Sequence, residues 1–272
     1  MKIIPVASES MGTRSMATLV EVGEERIFID PGVALGPWRY GLRPHPIEEE
    51  RREIHTRKIL EELKTCKYVI ITHFHRDHYL YRHPEAFVGK KLLVKDPENN
   101  INHSQQFRAG KFLPGKEFTP ADGKSFQFEN FSIHFSPPFL HGEGPAVIIS
   151  VLIEEKKRFL FTSDVCGPVS EDQLRFILDA SPHILYLDGP PTYLDFKPIE
   201  RVKENMMKIL EIKELETIII DHHLTRDIEW REKIREFLEE GEKRGIKILT
   251  AAAFAGEKEE FLEAWRKRLY GK

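Results

Sequence analysis

The sequence predicts an α/β protein in which two sheets pack together with helices on the outside. Two observations lead there. Short apolar runs at strand spacing dominate the first part of the chain, and from residue 170 onward strands alternate with helices. The composition agrees: 272 residues, 40% hydrophobic and 31% charged, can bury a large core in a single domain over residues 1–272.

Strands are expected at Lys2–Ala7, Met16–Val22 and Arg26–Asp30, the last two joined by a hairpin at Gly23-Glu24-Glu25. Asp30-Pro31-Gly32 ends the third strand, since proline fixes φ and glycine admits positive φ. After a loop rich in Gly, Pro and aromatics, Ile47–Lys64 reads as an amphipathic helix. Tyr68–Thr72 is a compact β-branched run, the pattern of a buried strand. Further strands are expected at Lys91–Lys95, at Phe126–Phe135 as a hairpin about Glu129-Asn130, at Ala146–Ile153 and at Arg158–Thr162. Then come helix Ser170–Ala180, strand His183–Leu187, helix Ile199–Ile212, strand Thr217–Ile220, helix Ile228–Glu240, strand Ile246–Leu249 and a closing helix Lys258–Leu269.

No run approaches the roughly 20 apolar residues that span a bilayer, and Met1–Val6 is too short for a secretory signal, so a cytoplasmic protein without membrane contact is expected. Cys66 and Cys166 suit buried thiols in a reducing compartment. A net charge of −3 gives no global basic field for a long nucleic acid, although a local basic groove stays open. The wealth of Glu, Lys and Arg over Gln and Asn is compatible with a thermophile.

The chemistry sits in His73-Phe74-His75-Arg76-Asp77-His78, directly after a buried strand. H-x-H-x-D-H would arise by accident on the order of once in a thousand such chains, and imidazole with carboxylate is the donor set of zinc and similar divalent ions. Three more candidates follow strand ends in the same way: His141, Asp164, and the pair His222/His223. Loops after strand ends can converge at one edge of a sandwich.

Asp30, the H-x-H-x-D-H run, His141, Asp164 and a late histidine, in that order, resemble the metallo-β-lactamase superfamily over nearly the whole chain. Ser8–Met16 and Asp221–Asp227 resemble, more narrowly, an uncharacterised archaeal branch of it. The resemblance implies a four-layer αββα sandwich with a metal site along one edge. It also implies a first ion on His73, His75 and His141, a second on Asp77, His78 and one of His222/His223, and Asp164 bridging both. His223 is preferred as the late ligand, because His223-Leu224-Thr225-Arg226 resembles the His-Phe-Ser-x-Arg segment of tRNA-processing members; His222 is the alternative. Asp30 is either a hydrogen-bonding support or a turn residue.

Two zinc ions would bring the pKa of a bound water from 15.7 to about 7, with Asp77 and Asp164 as the catalytic carboxylates. The formal charge of about +1 favours a small anionic or ester-like substrate: a phosphodiester, lactone, thioester or lactam. Trp38, Arg39, Tyr79 and Asp188 are candidates for the substrate wall, together with Tyr40 and Tyr81. Of the other histidines, His55 is expected to be solvated. Rival readings are a ribonuclease, an iron-dependent oxidoreductase and a metal-holding protein without turnover; the oligomeric state is open.

Overall fold

A computed structural model describes residues 1–272. One sheet contains six strands in spatial order β1 (Lys2–Ser8), β2 (Met16–Val22), β3 (Glu25–Ile29), β4 (Tyr68–Ile71), β5 (Lys91–Val94) and β6 (Glu117–Pro120). The other begins with β7 (Ser125–Gln127) and β8 (Ser132–Phe135). A short ribbon follows, β9 (Phe139–Leu140) with β10 (Val147–Ile148). The second sheet then continues with β11 (Val151–Glu154), β12 (Arg158–Phe161), β13 (Ile184–Asp188), β14 (Thr217–Asp221) and β15 (Lys247–Leu249), in spatial order β15-β14-β13-β12-β11-β8-β7. The helices are α1 (Pro46–Thr65), α2 (His103–Phe112), α3 (Glu171–Ala180), α4 (Ile199–Ile209), α5 (Trp230–Lys233), α6 (Arg235–Lys243), α7 (Ala251–Phe254) and α8 (Arg266–Leu269).

Three apolar layers hold these elements. Between the sheets lie Ile27, Ile29 and Ile70 from one side and Ile133, Val151 and Phe161 from the other. Outside the first sheet, Phe28, Val69 and Ile71 pack on Ile59 and Leu63 of α1 and Phe112 of α2. Outside the second, Leu185, Leu187 and Ile218 pack on Leu174, Val202, Met206 and Phe237 of α3, α4 and α6. Two sheets sandwiched between helices make an αββα arrangement. The alternate residues of β3 and β4 divide between two of these layers, which is why those strands are apolar throughout. No helix is long and apolar enough to cross a membrane.

Strand direction decides where loops gather. β3, β4, β5 and β6 run parallel, as do β12, β13, β14 and β15. Their C-terminal ends therefore open toward a shared edge of each sheet. Across that edge Thr72 and Ser163 exchange a hydroxyl hydrogen bond at 2.6 Å, and the Ile149 amide donates to the Thr72 carbonyl at 3.1 Å.

Several local expectations are corrected. The run 146–153 is divided between β10 and β11, with Ile149 turned into the intersheet core. The expected helix 228–240 is broken at Ile234 (φ −119°, ψ 25°) into α5 and α6. Of the closing helix only Arg266–Leu269 forms, because the preceding segment is pinned elsewhere: the Glu260 amide donates to the Ser10 carbonyl at 2.7 Å, and Glu263 pairs with Arg14 at 2.6 Å. The short α2 and α7 had no clear signal in the apolar periodicity. Gly32 is needed for close approach rather than positive φ, since a Cβ there would collide with the backbone of His78 and Tyr79.

His55 is buried in α1, contrary to its expected solvation, with Nδ1 at 2.7 Å from Thr13 Oγ1. Burial, reinforced by Lys58 and Arg51, lowers its pKa to about 3. The unfolded chain takes up this proton below about pH 6.5, while the folded chain does so only near 3, so stability falls as pH drops through that window. In denaturant titrations from pH 6.5 to 4, His55→Asn should remove about one proton's slope, ~1.4 kcal/mol per pH unit, from the wild-type dependence. Identical slopes would refute a neutral buried His55.

Candidate metal centre

The two sheet edges deliver their polar residues to one place. The loop after β4 carries His73, His75, Asp77 and His78; Asp164 follows β12; His222 and His223 follow β14; and His141 follows the ribbon strand β9. At the middle is the buried Asp164 carboxylate. Its Oδ2 faces His141 Nε2 at 3.1 Å, His73 Nε2 at 3.5 Å and His75 Nδ1 at 4.0 Å. Its Oδ1 faces His78 Nε2 at 3.1 Å and His222 Nε2 at 3.5 Å. On that second side His222 Nε2 also lies 3.8 Å from Asp77 Oδ2. Single donor atoms from His73, His75 and Asp164 lie within 4.8 Å of one another, as do those of Asp77, His78 and His222.

Supporting contacts aim these rings. Asp30 Oδ2 accepts from His78 Nδ1 at 2.8 Å, and the same carboxylate accepts from the Thr72 amide at 2.7 Å and hydroxyl at 2.6 Å. A carboxylate can only accept, so a His78 proton sits on Nδ1 and Nε2 is directed inward at Asp164. Burial lowers the His78 pKa, but the Asp164 and Asp30 carboxylates outweigh it and raise it well above its usual value. Asp30 is thus a hydrogen-bonding support as well as a turn residue. His73 Nδ1 lies 3.3 Å from both the Thr72 and Ser163 hydroxyls, leaving Nε2 to face Asp164. Arg226, paired with Glu9 at 2.8 Å, donates to His222 Nε2 at 3.0 Å, which makes that nitrogen the acceptor in this contact.

His222 and His223 part company at a backbone feature. Strand β14 ends at Asp221 and His222 is left-handed at φ 63°, so the alternation of an extended chain does not apply. His222 faces Asp77 and His78. His223 Nδ1 instead lies 3.0 Å from both Asp188 oxygens and 3.8 Å from the Cys166 thiol, although its ring also approaches Asp164. Four of the seven non-glycine residues with positive φ border this centre: Asp30, Ser163, Cys166 and His222. Each such conformation costs about 1–2 kcal/mol for an L-residue. Their concentration here marks where packing forces the backbone to serve side-chain placement.

The electrostatics are dominated by burial. Burial raises the Asp164 pKa, but His78, His222 and His73 outweigh it and hold the carboxyl well below its usual range. Asp77 is lowered in the same way against burial, chiefly by His78 and His222. Asp188 moves the other way, to about 6, because of burial and then the Asp164 charge.

The remaining expectations divide. Tyr79 is only 2% exposed and packs on Phe74 and Phe112, so it belongs to the core rather than a substrate wall. Asp188 is fully buried and accepts from the Cys166 amide and from His223, which makes it a support. Trp38 is 58% exposed, and Arg39 lies over the Tyr193 ring at 4.1 Å while donating to the Arg226 carbonyl at 2.9 Å. Both cysteines are free and buried. Sequence reasoning did not single out Asp221, which accepts from Ser10 N, His222 N, Ala251 N and Thr225 Oγ1 at 2.7–3.1 Å, or the Glu9–Arg226 pair. The signal was present: these contacts join Ser8–Met16 to Asp221–Asp227, the two segments that carried the narrower resemblance.

Residues 12–198 match the family described as the Metallo-beta-lactamase superfamily. The chain belongs to this superfamily. Among relatives, a UPF0282 protein of Korarchaeum cryptofilum is 44% identical over 99% of this chain and 94% of its own length, which sets the chain in an archaeal branch of the superfamily. An isothiocyanate hydrolase from Delia radicum gut bacteria superposes with TM-score 0.58 at 17% identity, covering 92% of this chain and 95% of that one. Igni18, a novel metallo hydrolase from Ignicoccus hospitalis, superposes with TM-score 0.52 at 17% identity and 95% coverage of both. At such identities the likeness is one of metallo-β-lactamase fold.

Asp221 offers a test of how the late histidine loop is held. Asp221→Ala would strand three buried amides, each costing ~1–3 kcal/mol, so urea denaturation should show a loss of about 3 kcal/mol or more, with Asp221→Asn losing less. A change within about 0.5 kcal/mol would contradict this role.

Proposed function

We propose that this protein is a metal-dependent hydrolase whose centre takes two divalent cations, zinc foremost, and cleaves an ester, lactone or phosphodiester bond. One observation carries the reading. His73 Nε2, His78 Nε2 and Asp164 Oδ1 are buried within a few ångströms of one another without a hydrogen-bond partner, and His78 Nε2 and Asp164 Oδ1, though 3.1 Å apart, are not aligned for one. Each unsatisfied buried polar atom costs ~1–3 kcal/mol, and imidazole nitrogens and carboxylate oxygens left without a partner are what a bound cation satisfies. The donor set of imidazoles and carboxylates fits zinc and comparable ions.

In this reading His73, His75, His141 and Asp164 would hold one ion, and Asp77, His78, His222 and Asp164 the other. The late position goes to His222, whose lone pair Arg226 now occupies. Such a pair of ions supplies water of lowered pKa, about 7, and stabilises negative charge on substrate oxygen. The chain's own part is orientation: Asp30, Thr72 and Ser163 keep two imidazoles aimed, and Asp164 keeps both sides of the centre in register. In the reaction, water oxygen joins the acyl or phosphoryl centre, the bond to the departing oxygen breaks, and that oxygen leaves with a proton from water.

Elemental analysis of reconstituted protein should find about two equivalents of divalent metal. Chelation should abolish hydrolysis of bis(p-nitrophenyl) phosphate or of a simple lactone, and zinc should restore it. His222→Ala should lose one equivalent and lower turnover on the order of 100-fold, whereas His223→Ala should keep both ions. No metal after reconstitution would overturn the proposal, and stable iron without any hydrolysis would favour the oxidoreductase reading.

A further inference from the structure

A cavity of 930 Å³ adjoins the centre, sharing Asp77 with it and extending between the loop 33–44, helix α1 and the residues after the H-x-H-x-D-H run. Six arginines and no lysine line it, against Glu49, Glu53 and Asp77. In a chain whose net charge is −3, this is a local reversal of sign. Two of the arginines are neutralised, Arg14 by Glu263 at 2.6 Å and Arg52 by Glu49 at 2.7 Å. Arg43, Arg57, Arg76 and Arg82 have no carboxylate within 4.0 Å.

The free arginines come with aromatic surfaces. Arg43 lies 5.3 Å from the centroid of Trp38, and Arg76 and Arg82 lie 5.1 and 5.5 Å from that of Tyr81. A cation over an aromatic ring is attracted by its quadrupole, which helps fix these guanidinium planes beside the cavity. Guanidinium presents a planar fork that matches phosphate in two-point contacts, which ammonium does not. Trp38, more than half exposed, offers a face on which a planar group can stack.

We propose that this cavity binds a phosphate ester bearing a planar base, of about dinucleotide size. Arg57, Arg76 and Arg82 take its phosphates, Trp38 stacks on the base, and the scissile ester lies toward Asp77. The cavity's size falls within the ~300–1,000 Å³ of small-ligand pockets, which favours a short single-stranded piece over a duplex. This assignment rests on the hydrolase reading for its chemistry but not for its binding. A merely solvated arginine surface does not by itself bring free guanidinium groups, an exposed tryptophan and a candidate ligand residue to one cavity.

The test uses full-length protein with its metal and a 5′-phosphorylated adenosine dinucleotide whose phosphorothioate linkage resists cleavage. Binding should quench the fluorescence of Trp38 and weaken with salt. The double variant Arg57→Gln/Arg82→Gln should raise Kd at least tenfold, and Trp38→Ala should raise Kd (read by calorimetry) with metal content and melting temperature unchanged in both. Inorganic phosphate should compete only at far higher concentration. Unchanged affinity in both variants, equal competition by phosphate, or no binding at all would overturn the proposal. If the dinucleotide binds as expected while no ester of any kind is hydrolysed, the hydrolase reading falls and the binding site stands. If small esters are hydrolysed and the dinucleotide does not bind, the reverse holds.

Discussion

A carboxylate buried among five imidazoles is the constraint on which the rest of this structure depends. Asp164 presents one oxygen to His73, His75 and His141 and the other to His78 and His222. An isolated carboxylate carries a desolvation cost of several kcal/mol, so its placement holds only if opposite charge or directed donors surround it. The histidines meet that condition on two separate sides. This divided environment makes the two-cation reading more economical than a single structural ion.

The architecture serves that placement. Parallel strands in both sheets turn their C-terminal ends to one edge, and the Thr72–Ser163 hydroxyl contact fastens the edges where Asp30, His73 and Asp164 emerge. Left-handed backbone at Asp30, Ser163, Cys166 and His222 lets the chain leave each strand abruptly and aim a side chain inward. The surrounding buried carboxylates accept from the amides that these departures leave without a strand partner. Asp221 collects donors from the amino-terminal turn, the late histidine loop and α7, and Asp188 collects those of Cys166 and His223. Glu48, which caps α1, also receives the buried Arg266 and so ties the C-terminus to the same scaffold.

Much of the fold was legible because β-branched runs and amphipathic helices leave strong local periodicity, as at Tyr68–Thr72 and Thr217–Ile220. The closing helix failed for the opposite reason: Lys258–Trp265 has helical composition, but its contacts to Ser10 and Arg14 draw it into another path. At the site, the H-x-H-x-D-H run stands out by its spacing, while His141, Asp164 and the late histidine pair are singled out by their places after strand ends and by the order they share with the superfamily. What spacing could not separate was His222 from His223, since the extended-chain rule breaks down at one left-handed residue. Nor could it tell that Tyr79 faces inward, or that His55, on a charged helix, is capped by Thr13 and buried.

The central claim is that Asp164 joins two cation sites and that His222 completes the second. Anomalous diffraction from crystals grown with zinc tests it most directly. The account requires two peaks about 3.5–4 Å apart, one beside each Asp164 oxygen, with His222 Nε2 bound to the ion near Asp77 and His78. A single peak, or a second ion held by His223 in place of His222, would contradict it.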